Sequence, residues 1–139
     1  MSFVLPTFKV VSVIFAISAV VTGTQALLNP IGFSSSFGLP ITVVRDAHQS
    51  KRTAVDDPVI LYVSLMGVRQ LATGFTLLTF ASQQKWAEMA TILSILGIAV
   101  AGTDGFYLSR SGNNKQARFH AIPGALIALL AGAVVLTEA

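Results

Sequence analysis

Four stretches of this chain, 10–28, 59–80, 86–108 and 121–137, are almost entirely apolar, and each is about as long as one bilayer crossing. A spanning helix takes roughly 20 apolar residues at 1.5 Å per residue. None of the stretches alternates polar and apolar residues as a barrel strand must. The pattern predicts an all-α integral membrane bundle of four transmembrane helices, forming one domain over 1–139. Composition agrees. Hydrophobic residues make up 53% of the chain and charged residues 11%, well below the roughly 25% usual in soluble domains. Mean hydropathy is +0.73. A formal charge of +3, spread over two loops, does not suit nucleic acid. With no cysteine there is no disulfide framework and no thiolate chemistry.

The first stretch has a second reading. Lys9, an apolar run and Thr24-Gln25-Ala26 also fit a secretory signal with a small-residue cleavage site. The run is longer than the usual signal core, which favours a spanning helix.

The connections are unequal. A short turn at 82–85 joins the second and third helices, and 109–117, with Gly112, Asn113 and Asn114, joins the third and fourth. The first connection, 29–58, is long. In it, Asn29-Pro30 reads as an N-cap followed by proline at the first helical position. Phe33 and Phe37, four apart, then predict a short interfacial helix, stopped by Gly38 and kept from restarting by Pro40. Residues 48–57 are polar and read as solvated. His48, Asp46, Asp56 and Asp57 lack metal-site spacing, and neither a metal nor a bound cofactor is expected.

Lysine and arginine set the expected orientation. Arg45, Lys51, Arg52, Arg110, Lys115 and Arg118 lie in the first and third connections, against Lys9 and Lys85 on the opposite side. The positive-inside rule puts the long first loop in the cytosol and both termini away from it. In a eukaryotic cell the membrane would be the endoplasmic reticulum or another endomembrane. Trp86 falls at the opposite interface, where tryptophan is favoured.

Small residues predict the packing. Gly97, Ala101 and Gly105 are spaced by four, as are Gly124, Ala128 and Gly132. Such ridges let helix backbones approach closely in lipid, so the third and fourth helices should pack ridge to ridge.

Polar residues inside the spans mark the candidate site. Arg69 sits mid-way along the second span, where arginine costs about 2.5–3.5 kcal/mol on insertion scales. Tyr62, Arg69, Thr73 and Thr76 form one helical stripe, with Gln70 on the next. That polar face is expected to look inward. Asp104 and His120 fall beside the two small-residue ridges, and Gln25, Asn29 and Tyr107 reach the same level. The expected site has Arg69 as anion stabiliser, Asp104 and His120 as acid–base pair, and Tyr62, Gln25, Asn29, Gln70, Thr73 and Tyr107 as binding residues. Histidine suits proton transfer near neutral pH, and a carboxylate can fix its tautomer. The alternatives stay open. Arg69 and Asp104 as a structural ion pair, His120 as an interfacial residue, and the tyrosines as interface aromatics fit the same residues.

Asn29-Pro30, Phe37-Gly38-Leu39-Pro40, Tyr62, Gly67-Val68-Arg69 and Leu71-Ala72-Thr73-Gly74, followed by Asp104 and His120, resemble an uncharacterised family. It is domain of unknown function 4267, made of small four-helix membrane proteins. The family arginine is often followed by an acid, where this chain has Gln70. Fungal members often neighbour secondary-metabolite genes. The resemblance therefore implies a lipophilic small-molecule ligand, a polyketide or terpenoid intermediate, handled by a cofactor-free isomerase or cyclase. The alternative is a non-catalytic scaffold, small-molecule binder or transport accessory. The expected partners are the lipid bilayer and that ligand, with a homo-oligomer or a complex with pathway enzymes as further options.

Overall fold

The computed structural model describes residues 3–41, 58–110, 112 and 114–138. Five helices follow one another: α1 (Val4–Leu28), α2 (Pro30–Ser36), α3 (Pro58–Ser82), α4 (Trp86–Arg110) and α5 (Asn114–Glu138). No strand occurs among the described residues. The four long helices are each long and apolar enough to cross a membrane. Only 17–22% of the residues in their most apolar windows are buried by the chain itself, so the rest of each apolar surface fits a bilayer environment. The polar stretch 48–57 lies outside the described residues.

Two boundaries differ from the sequence expectation. α1 begins at Val4 rather than residue 10, because Phe8 is buried and gives the first turns a packed face. Pro6 falls in the first turn, where its missing N–H costs no helical bond. α5 begins at Asn114 rather than 121. Ala117 is buried and Ala121 half-buried, so two extra turns gain contact with α4. Pro123 consequently lies inside α5, and His120 belongs to the helix rather than to the loop.

The chain divides into two compact units, Met1–Ile17 with Phe75–Ala139, and Ser18–Gly74. The first holds a core of Phe8, Ala16, Leu77, Met89, Ala90, Leu93, Ile127, Ala131 and Val134. These residues come from the start of α1, the end of α3, the start of α4 and the end of α5. The α3–α4 turn closes on Gln84 at φ 59°, and the Lys85 N–H donates to the Phe80 carbonyl at 2.9 Å. Trp86 donates its indole N–H to the Gln84 side chain at 3.1 Å, and the Lys9 ammonium stands 5.0 Å from the Trp86 ring centroid. A tryptophan held between an amide and a cation is the arrangement expected at a membrane interface.

In the second unit α1 and α3 cross at glycine. A Cβ added at Gly23 would stand 2.7 Å from the Leu71 nitrogen and 2.8 Å from the Gly67 carbonyl oxygen. Ala19 and Ala26 are buried on the same side of α1. The short helix α2 forms where the sequence predicts one. The Asn29 side chain accepts from the Gly32 N–H at 2.9 Å, Pro30 opens the helix, and the Phe33 and Phe37 rings stack with centroids 5.7 Å apart. Gly38 ends the turn at φ 92°, a conformation that favours glycine, and the Leu39 N–H returns to the Ser34 carbonyl at 2.9 Å.

Candidate functional site

The site begins with the seam between α4 and α5. A Cβ added at Gly97 would lie 2.6 Å from the Gly124 carbonyl oxygen and 2.7 Å from the Ala128 Cβ. One added at Gly105 would lie 2.8 Å from the Ala121 Cβ, and Gly124 receives Ala101 in the same way. The two ridges therefore mesh as expected, with one correction. Gly132 meets nothing within 4 Å, and the buried positions on that part of α5 are Ala131 and Val134.

This seam fixes the level of the polar pair. Asp104 precedes Gly105 and His120 precedes Ala121 on antiparallel helices, so the Gly105–Ala121 contact brings the two to within about 3 Å of one height. Both are half-buried, and each lies in the other's electrostatic field. The His120 Nε2 is shielded from the surroundings, and the Phe119 ring meets the imidazole edge-on at 5.5 Å. Asp104 is six residues from the end of α4 and His120 six from the start of α5, about 9 Å below the helix tips. A carboxylate and an imidazole at that depth, inside candidate spans, can exchange protons with a bound molecule while the surrounding apolar helix faces limit water.

A family model described as a domain of unknown function (DUF4267) matches residues 16–134. The chain belongs to this family. No curated protein and no solved structure matches it. The DUF4267 match takes in parts of both units and every residue of the expected site.

The rest of the site expected in this chain is arranged differently from the sequence expectation. Arg69, Tyr62 and Gln70 share α3 as predicted, but all three are exposed. The buried line of α3 runs through Ile60, Gly67 and Gly74, spaced by seven. Arg69 is two residues beyond Gly67, about 200° around the helix, so it points away from the packed face. The expectation that the polar stripe faces inward is thus corrected. Small residues decide which face of α3 can meet α1, and the arginine is left on the other. No ion pair or side-chain hydrogen bond engages its guanidinium among the described residues.

Thr73 is half-buried and donates its hydroxyl to the Arg69 carbonyl at 2.9 Å. Thr22, Thr24, Thr79, Thr91 and Ser94 bond back to their own helices in the same manner. These hydroxyls satisfy themselves locally, as lipid demands. Gln25 is exposed, and Asn29 is occupied in capping α2. Tyr107 is exposed and packs edge-on against Phe106 at 5.4 Å, which suits an interface aromatic. Of the nine expected residues, Asp104 and His120 are thus the two that act on each other's charge. The Gly23–Gly67 crossing has a sequence signal of its own: Ala19, Gly23 and Ala26, spaced by four and three, form a small-residue ridge like those of α4 and α5.

Proposed function

We propose that this protein holds a lipophilic small molecule in the membrane and moves a proton on it, in an isomerisation or cyclisation, with Asp104 and His120 as the acid–base pair. The observation that carries the reading is the pair itself: two half-buried ionisable groups brought to one level by backbone-close helices, inside candidate spans. Ionisable residues are costly at such depth and mark functional sites by default. In this scheme the His120 imidazole accepts a proton from an acidic carbon of the ligand, and Asp104 stabilises the imidazolium. The proton returns to the rearranged ligand at another atom, so the step is redox-neutral. A polyketide intermediate, or a terpenoid one bearing a carbonyl group, has both the apolar body and the activated C–H that this requires.

The test is metabolite profiling of the host carrying the intact gene, Asp104→Asn or His120→Gln. Each variant is expected to insert normally and to lose the product formed with the intact gene. Unchanged product from either variant would overturn the acid–base reading. The exposed Tyr62–Arg69–Thr76 stripe favours a second reading, a non-catalytic scaffold that presents this face to another membrane protein. That reading predicts unchanged chemistry in both variants and loss of partner recovery on Arg69→Ala. In either case the lysine and arginine balance puts the termini on the side away from the cytosol.

A further inference from the structure

The outer face of α5 carries charge and apolar surface in a definite order. Lys115, Arg118, Phe119, Ile122, Leu126 and Leu129 fall at intervals of three, one, three, four and three residues, which keeps them on one side of a helix. All six are exposed, and the four apolar ones strongly so: Phe119 69%, Ile122 56%, Leu126 62% and Leu129 73%. The buried side of α5, through Ala117, Gly124, Ala128 and Ala131, lies opposite and is taken up by α4 and the core. At the tip, Arg110 adds a third cation from the last turn of α4. Its guanidinium is held 5.6 Å from the Phe106 ring centroid, which turns it back along the helix toward the apolar level.

We infer that this face is a binding site for an anionic phospholipid, its phosphate engaged by Lys115 and Arg118 and an acyl chain lying along Phe119, Ile122, Leu126 and Leu129. The order of residues matches the order of groups in such a lipid. Cations lie in the first turns of α5, an aromatic ring follows, and branched aliphatics continue along the same face. Arginine and lysine hold phosphate by charge-assisted hydrogen bonds. The exposed face of α3 supplies the contrast, because its charge, Arg69, is mid-span and neither Tyr62 nor Thr76 continues an apolar track. The α5 site does not depend on the acid–base pair, and it commits to a lipid rather than to a soluble anion or a second copy of the chain.

The experiment uses the full chain in neutral detergent, titrated with dioleoyl phosphatidylglycerol, with dioleoyl phosphatidylcholine or with inorganic phosphate. Binding is read by native mass spectrometry and by the shift in melting temperature. A basic residue near a membrane surface contributes about fivefold to binding, so the pair contributes about 30-fold. Phosphatidylglycerol is therefore expected to bind about 30-fold more tightly than phosphatidylcholine. Lys115→Gln with Arg118→Gln should remove that preference. Lys85→Gln, at the opposite end of the chain's spans, should keep it. Both sites are exposed, and helical circular dichroism verifies that the variants fold. Equal binding of the two lipids, retention of the preference in the double variant, or full stabilisation by inorganic phosphate alone would each overturn the inference. So would concentration-dependent dimerisation that excludes lipid from this face.

Discussion

Replacing Gly97 by alanine should force the α4–α5 seam open against fixed atoms. The added carbon would sit 2.6 Å from the Gly124 carbonyl oxygen and 2.7 Å from the Ala128 Cβ. Ordinary carbon–oxygen and carbon–carbon contacts lie at about 3.3–3.6 Å and 3.5–4.0 Å. The helices must then part by roughly 0.7–1 Å, since neither neighbour has a rotamer to escape into. Overpacking of this kind costs about 1–3 kcal/mol. In lipid the loss is felt directly, because close packing rather than a hydrophobic drive holds helices together. Gly132→Ala is the matched control. Its added carbon meets nothing within 4 Å, and it gains the same glycine-to-alanine helix propensity. Propensity therefore cancels in the comparison, leaving Gly97→Ala less stable than Gly132→Ala by about 1–3 kcal/mol. Unfolding in mixed detergent micelles, followed by the fluorescence of the single tryptophan, measures the difference. Equal stabilities would show that the seam is not backbone-close at Gly97.

Two further outcomes are expected. Arg69→Leu should favour insertion of α3 by about 3–4 kcal/mol on translocon scales, read as a higher inserted fraction in a glycosylation assay. A loss of folded stability on the same change would instead reveal an acceptor for the guanidinium, since breaking a buried pair is destabilising. A glycosylation acceptor appended after α5 should be modified in microsomes, and protection from modification would reverse the orientation drawn from the basic residues.

The sequence carried the fold further than the site. Long apolar runs have one solution in lipid, so the four spans followed from length and composition. The α2 cap was legible because Asn29-Pro30 and Gly38 each demand a particular local geometry. The α4–α5 seam was legible because small residues recur every four positions on both helices. The outward direction of Arg69 has a physical reason. Exposing a cation to lipid is costly, but the close approach of α1 and α3 at Gly23 and Gly67 decides the packed face. The spacing of Asp104 from Gly97 and Ala101, and of His120 from Gly124, sets both beside the seam, a register argument that does not depend on where α5 begins.

The tight turn at Gly112, with φ 82° and its N–H bonded to the Ser109 carbonyl at 3.1 Å, has a consequence for biosynthesis. It joins two helices whose contacts are local in sequence, so little loop entropy opposes their meeting. Local contacts also form early and fast. During translation α4 and α5 can therefore pair as soon as both have emerged, and that pairing brings Asp104 and His120 under the cover of each other's helix.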